Sequence, residues 1–282
     1  MILRFIHCNG RSLLFIFVYL HIFKGIYYNR YRRNGWTWII GRTIYVLIII
    51  IAFLGYVLPW GQIRYWGATV IRRLITTVPA IGKWLLIIIW GDYRVNNRTL
   101  NRFYRLHFLL PVVVIIIIII HLLALHYKGS TTLNSRRLVI VPFRNYFLVK
   151  DVVGFIVASL MLIINIIYFP RYFLDSENSI PARPLITPIH IVPEWYFLFA
   201  YCILKRFESK TVGVIILVIS VVIFPALSLK NKQNNHLSHK ITMILWRVNF
   251  CILTKIGAME LNYPFVWLRS VCTIIHFVPI IT

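Results

Sequence analysis

The sequence predicts an all-α protein, a polytopic bundle of about seven transmembrane helices with two further helices in loops. Of its 282 residues, 60% are hydrophobic and 13% are charged, and the mean hydropathy is +0.78. Long apolar segments recur between short basic stretches. A helix needs about 20 apolar residues to cross the hydrocarbon layer, and helices satisfy their own backbone hydrogen bonds there. These observations exclude a water-soluble globular domain.

Seven segments are long enough to cross the membrane. They are residues 2–28, 38–58, 106–127, 149–169, 211–229, 241–258 and 263–281. The sixth contains Arg247 and Lys255, which are costly at membrane depth. Two apolar stretches, 79–90 and 195–204, are too short to cross and each lies at or just after a proline, which favours the start of a helix. We therefore expect interfacial or re-entrant helices there.

The two short helices lie in the two long connections, residues 59–105 and 170–210. One pair of spans separates these connections, so both lie on the same side of the membrane. We expect them to cap the bundle and form a pocket. We also expect a first transmembrane bundle over residues 1–170 and a C-terminal transmembrane region with this second loop over residues 171–282.

The chain is strongly basic, with 31 lysines and arginines against 7 acidic residues and a net charge of +24. In a soluble protein this excess would suggest a nucleic-acid partner. Here the basic residues lie between apolar spans, which indicates contact with the anionic head groups of membrane lipids instead. They occur on both sides of the predicted bundle, so the charge pattern does not decide its orientation.

Four histidines form two pairs at matching depths. His7 and His21 lie in the first span, His107 and His121 lie in the third, and each set is fourteen residues apart. Fourteen residues fall about 40° short of four helical turns and rise about 21 Å. Because the two spans run in the same direction, His7 faces His107 and His21 faces His121. The pattern predicts two stacked bis-histidine haem sites; the alternative is hydrogen bonding between neighbouring helices.

Glycines and basic residues repeat near these histidines. Gly41 and Gly55, in the second span, are also fourteen residues apart, and a flat haem against a helix favours a residue without a side chain. Ordinary close helix packing is the alternative. Arg4, Lys24 and Arg102 lie within five residues of a histidine. They are candidate partners for haem propionates, or they extend to lipid phosphates.

Paired histidines alone leave other functions open. A dihaem anchor of another dehydrogenase or reductase has such pairs too. A cofactor-free membrane scaffold or transporter, in which the histidines bind no haem, is the other alternative.

Further motifs resemble cytochrome b of the mitochondrial and bacterial quinol:cytochrome c oxidoreductases, over nearly the whole chain. The motifs are GYVLPWGQ at 55–62, YWGATVI at 65–71, HLLALH at 121–126 with Gly129-Ser130, Lys150-Asp151, and PEWY at 193–196 continuing as FLFAY to 201. The chloroplast relatives are split into two chains and have Asp in place of Glu194, so the resemblance is to the respiratory form.

The resemblance implies a proton-translocating enzyme with two b haems and a quinone, ubiquinone, as substrate. Glu194 is the predicted proton acceptor at the quinol-oxidising pocket, because an acid beside an apolar pocket exchanges protons near neutral pH. Capping of the helix that follows Pro193 is its alternative role. By resemblance, Tyr56, Trp66, Gly67 and Tyr201 line the same pocket.

His126 lies five residues after His121, about 140° around the helix, so it cannot bind the same haem. With Lys150 and Asp151 it resembles the quinone-reducing site at the other membrane face. A polar cluster at the interface is the alternative.

The family also implies partners and a location. The expected partners are a Rieske iron–sulphur protein, a c-type cytochrome subunit and a second copy of the complex. The expected location is the mitochondrial inner membrane, or alternatively a bacterial plasma membrane. The family has eight spans and this sequence begins within the second, so we expect a separate fragment, a partner subunit or an extension to supply the first.

Overall fold

A computed structural model describes residues 2–33, 35–129, 142–226 and 236–281. The α-helices in these ranges are α1 Ile2–Tyr27, α2 Arg30–Arg33, α3 Gly35–Val57, α4 Gln62–Ile75, α5 Gly82–Trp90, α6 Asn97–Lys128, α7 Val149–Tyr168, α8 Leu198–Leu204, α9 Lys210–Ala226, α10 His236–Gly257 and α11 Phe265–Ile281. A short π-helix, Phe143–Leu148, precedes α7, and 3₁₀-helices form at Ser176–Ser179 and Trp195–Phe197.

Each of the seven predicted spans overlaps a helix, which confirms the all-α fold class; residues 227–229 of the fifth lie outside the described residues. Among the described residues, four helical segments are long and apolar enough to cross a membrane by length and composition: Ile2–Tyr27, Gly35–Val57, Asn97–Tyr127 and Phe143–Tyr168. The apolar parts of α9 and α11 are shorter, at Lys210–Val222 and Phe265–Val278. Helix α10 has 22 residues, but its basic residues and polar first turn lower its hydropathy.

Helix α6 begins nine residues before the predicted span, because polar residues cap it outside the apolar segment. The Asn96 side chain accepts hydrogen bonds from the backbone N–H groups of Arg98 and Thr99, and the Thr99 hydroxyl accepts one from the backbone N–H of Asn96. This reciprocal cap satisfies backbone donors that the first helical turn leaves unpaired. The Thr99 hydroxyl also donates to the carbonyl of Trp90 at 3.0 Å, which fixes α6 against the end of α5.

An aromatic core joins the first helices to the last ones. Phe15 and Tyr19 of α1 pack in one buried cluster with Tyr45 of α3, Phe199 of α8 and Phe250 of α10. Helix α8 is buried against α9, α10 and α11, so this short helix lies inside the protein. The core therefore runs continuously across residue 170, where we expect the boundary between the two regions.

The two long connections meet, as predicted for loops on one side of the membrane. Gln62, at the start of α4, donates to the carbonyl of Ile186 at 2.6 Å and accepts from the backbone N–H of Arg183 at 2.6 Å. Its own backbone N–H donates to the carbonyl of Ile180 at 2.8 Å. One buried glutamine thus fastens the second connection to the first.

Candidate functional site

The four predicted histidines form two facing pairs. The ring centres of His7 and His107 are 6.1 Å apart, and those of His21 and His121 are 6.5 Å apart. Two imidazoles on opposite sides of one metal ion, each with a nitrogen about 2 Å from it, have ring centres about 6 Å apart. Both pairs fit a bis-histidine haem iron site, and helix α1 supplies one ligand to each.

The ring orientation of His107 also suits a ligand. Its Nδ1 lies 2.9 Å from the carbonyl oxygen of Ile51 on α3. Such a bond from the second nitrogen fixes the tautomer and leaves Nε2 for the metal. Helix α3 therefore orients the ligand that α6 supplies.

Gly41 and Gly55 lie directly beside the ligand rings. A Cβ atom added to Gly41 would be 3.0 Å from Cε1 of His121, and one added to Gly55 would overlap the imidazole of His107. The absence of side chains at these glycines lets α3 approach each ring closely. The predicted matching period of glycines and histidines thus corresponds to a contact between α3 and α6.

Replacing Gly55 by alanine is expected to displace His107 and to weaken haem binding at the His7–His107 pair. The physical reason is overlap: a new methyl group would displace the ring and disturb its hydrogen bond to the carbonyl of Ile51. The haem content and the reduced-minus-oxidised spectrum of the purified complex measure the effect. Gly154→Ala is the matched control, because a Cβ there meets no atom within 4 Å. Unchanged haem spectra in Gly55→Ala would show that the close approach is not needed.

The three basic residues predicted near the haem edges have different surroundings. Arg4 and Lys24 are exposed near the two ends of α1. Arg102 donates to the carbonyl of Ile87 at 2.6 Å and also to that of Ile88. These carbonyls belong to the last turn of α5, where a helix offers acceptors and favours positive charge. Arg102 thus joins α6 to α5, and its contact with a propionate stays a prediction.

A cavity of about 620 Å³ lies beside Glu194. Its walls come from α1, from the end of α3 and from the second long connection. They are formed by Ile16, Tyr56, Tyr172, Phe173, Leu174, Asp175, Val192, Pro193, Glu194 and Trp195. Most of these side chains are apolar or aromatic, and the charged ones are the carboxyl groups of Asp175 and Glu194. This lining is typical of a site for an apolar molecule with a few polar atoms.

Glu194 is almost fully buried and lies between two arginines. Its Oε1 is 2.8 Å from Nη2 of Arg11 and 3.6 Å from Nη2 of Arg64. Burial raises the pKa of the Glu194 carboxyl above its ordinary value, and the two guanidinium groups reduce that rise. The side chain makes no capping hydrogen bond to the helix that follows, so the structure does not support the alternative role as a cap.

Of the other residues predicted to line this pocket, Trp66, Gly67 and Tyr201 are not among the wall residues that the structure describes. Gly67 faces the Tyr56 ring, since an added Cβ would be 3.9 Å from it. The indole of Trp66 donates to the carbonyl of Arg183 at 3.3 Å. The Tyr201 hydroxyl donates to the carbonyl of Ile191 at 3.0 Å, three residues before Glu194. Tyr56 lies in the cavity wall, whereas Trp66 and Tyr201 brace the connection that carries Glu194.

Of the predicted quinone-reducing residues, His126 lies near the C-terminal end of α6, whereas Lys150 and Asp151 lie in the first turn of α7. His126 and Asp151 are exposed, and Lys150 stacks over Tyr146 at 5.6 Å from the ring centre. Within the ranges that the structure describes, no hydrogen bond or ion pair joins these three residues. Ser130, from the motif that follows His126, lies outside the described residues. Their grouping stays a prediction.

Three charged residues of the pocket were not predicted from the sequence: Arg11, Arg64 and Asp175. Arg11 had a detectable signal, because it is an arginine within an apolar span, one helical turn after His7. Such a residue marks a functional contact by default. Arg64 and Asp175 lie in connections rich in polar residues, where nothing local distinguishes them.

The comparisons with known proteins agree with this architecture. The sequence model of the family cytochrome b/b6/petB matches residues 1–129, and that of the C-terminal cytochrome b/b6/petD family matches residues 181–277. Cytochrome b of Albinaria caerulea is 42% identical over 98% of this chain and 77% of its own length. Cytochrome b of Spizellomyces punctatus is also 42% identical, over 98% of this chain and 72% of its own.

The fold matches a solved structure of a hyperthermophilic respiratory complex III. The TM-score is 0.88 at 29% sequence identity, and the match covers 99% of this chain and 77% of the other.

Proposed function

The chain belongs to the cytochrome b family and is a redox subunit of a quinol:cytochrome c oxidoreductase, and we propose that it binds two b haems and two quinone molecules at opposite membrane faces. The observation that carries the proposal is the pair of facing histidine sites, 6.1 and 6.5 Å between ring centres. We assign the haem bundle to residues 1–170 and the quinol-site loop to residues 171–282.

His7 with His107, and His21 with His121, would hold the two haem irons. When bound, the haems would accept electrons one at a time and pass them between the two quinone sites. Helices α1 and α6 carry the two histidine pairs and would position both haems. Gly55 and Gly41 allow α3 to press against one ligand ring of each pair.

The cavity beside Glu194 is the quinol-oxidising site. Its apolar and aromatic walls suit a quinone ring and its tail, and the carboxylate of Glu194 is the proton acceptor for a quinol hydroxyl. Tyr56 contributes to the wall. Tyr201 and Trp66 hold the connection in place through hydrogen bonds to its backbone carbonyls, so they act as positioning residues.

The quinone-reducing site lies at the other end of α6. His126, Lys150 and Asp151 would supply protons to the reduced quinone there. Protons are thus taken up on one face and released on the other, which couples electron transfer to proton translocation.

The proposed partners follow from this chemistry. Electrons from the Glu194 site require a second acceptor outside the chain, and we assign it to a Rieske iron–sulphur protein, with a c-type cytochrome subunit beyond it. The complex is a homodimer in the mitochondrial inner membrane, with ubiquinone as substrate.

A reduced-minus-oxidised spectrum with haem stoichiometry tests the proposal. The purified complex is expected to contain two non-covalent haems b per chain, which quinol reduces. One haem, or none, would contradict the assignment of the two histidine pairs, whereas two haems without quinol oxidation would contradict the assignment of the Glu194 cavity alone.

A further inference from the structure

Three segments that are far apart in the sequence bring Arg11, Glu194 and Arg64 together in the interior. Arg11 lies on α1, Arg64 on α4, and Glu194 in the second connection. Their side chains are 12%, 4% and 8% exposed, respectively. Burial of three charged groups is costly unless they are paired and held in good geometry, so the arrangement requires an explanation.

Aromatic faces hold both guanidinium groups in position. Arg64 lies 4.5 Å from the ring centre of Tyr56, and Arg11 lies 5.5 Å from that of Tyr196. Both distances are within the range of cation–π contacts. Tyr196 itself stacks on Phe15 at 4.0 Å. The arginines are therefore fixed before any ligand enters the neighbouring cavity.

The charges in this group do not cancel. Two guanidinium groups face one carboxylate, and a guanidinium is protonated throughout the usual pH range. Arg11 makes the direct hydrogen bond to Glu194, whereas Arg64 at 3.6 Å acts through its charge alone. Nε of Arg64 is buried with no hydrogen-bond partner among the residues that the structure describes. Arg11, Arg64 and Glu194 together therefore carry a net positive charge, and Asp175 is the other carboxyl group in the cavity wall.

We propose that Arg11 and Arg64 are positioning residues for quinol oxidation, which hold Glu194 as a carboxylate at the cavity wall. The inference rests on the proposed function of Glu194. Only the carboxylate can accept a proton, and burial alone would favour the neutral acid. The arginines oppose burial, so Glu194 can remain ionised in an almost dry site.

The arginines favour the transfer of one proton from quinol to Glu194. The O–H bond of one quinol hydroxyl breaks, the proton joins an oxygen of Glu194, and the electron pair of that bond stays on the quinol oxygen. The carboxylate charge is neutralised as a quinolate charge forms nearby. The arginine charges remain beside both and stabilise the new anion.

Other ionisable groups face Glu194 from the surrounding segments. Asp175, from the second connection, raises the pKa of Glu194 by its like charge. The arginines also face Tyr56 on α3, Tyr196, and Cys8 of α1. Removing one arginine therefore leaves Asp175 and burial acting in the same direction, and the pKa of Glu194 must rise.

The test is the pH dependence of kcat/KM for quinol in the purified complex, since the acidic limb reports the base of the free enzyme. In Arg11→Gln the limb is expected to move to higher pH by about one to three units, the usual effect of one adjacent cation. Arg11→Lys keeps the charge, so its acidic limb should stay near that of the unaltered complex. Arg64→Gln should move the limb in the same direction by less, and provides a second variant if Arg11→Gln does not assemble.

Arg73→Gln is the matched control, because it removes the same charge from an exposed position on α4. It should leave the limb unmoved. An infrared band of the protonated Glu194 carboxyl, identified by its loss in Glu194→Gln, provides a readout independent of turnover. It should appear at higher pH in Arg11→Gln than in the unaltered complex.

The outcomes separate the two proposals. If Glu194→Gln oxidises quinol normally, the function assigned to Glu194 is wrong. If Glu194→Gln is slow but the arginine variants lose activity equally at every pH, with the infrared band unmoved, the arginines are merely structural and the present inference is wrong.

Discussion

Replacing His121 by alanine is expected to remove one haem b from each chain and to leave the other in place. The variant loses one of the two proposed iron ligands of the His21–His121 pair, while His7 and His107 keep their 6.1 Å separation on other turns of the same helices. Haem content should fall from two to one per chain. The reduced-minus-oxidised spectrum should keep a single low-spin component, and the thermal stability of the complex should fall.

His190→Ala is the matched control for this experiment. His190 lies in the second connection, where its Nε2 is 3.2 Å from the carbonyl oxygen of Ala258, so its loss should leave both haems bound. Two low-spin haems in His121→Ala would mean that the pairing of His21 with His121 is wrong.

Glu194→Gln is expected to slow quinol oxidation by about a hundredfold or more, the usual contribution of a positioned base. Glutamine fills the same space and can accept a hydrogen bond from Arg11, but it cannot take up the quinol proton. Reduction of the haem near His126 by quinol from the opposite face should be unaffected. Steady-state turnover measures the first effect. Haem reduction by quinol measures the second, in a complex that lacks the redox partners of the Glu194 site, so that this site cannot turn over.

Glu177→Gln provides a control, because Glu177 is exposed on the short helix Ser176–Ser179 of the same connection. Its turnover should match that of the unaltered complex. A Glu194→Gln variant that loses both activities to the same extent would point to a structural Glu194.

The helical framework could be predicted because membrane spans are defined by local composition. The seven apolar segments, each of which overlaps a helix, could be identified by counting apolar residues alone. Helix α4 was missed because it is amphipathic: its buried face includes Gln62 and Arg64, and its last turn carries two further arginines. A search for apolar segments cannot detect a helix that lies along the bundle without crossing it.

The candidate site was only partly predictable, for a physical reason. The histidine pairs follow from helical periodicity, which holds over fourteen residues. The contact between Arg11 and Glu194 joins residues 183 positions apart, and no local pattern encodes it. The surroundings of Arg102 show the same difficulty: charge near a histidine suggested a haem edge, whereas its donors are directed to the carbonyls at the end of α5.

Helix α1 carries the proposed haem ligands His7 and His21, the ion-pair partner of Glu194, and the tyrosine whose hydroxyl donates to the carbonyl of Tyr196. One residue inserted between His7 and His21 would turn the later part of the helix by about 100° relative to the earlier part. His21 would then face away from His121 while His7 kept its partner. The length of this segment is therefore set by the register of the two histidine pairs, even where its individual apolar residues can be exchanged, and insertions should be tolerated only in the connections between helices.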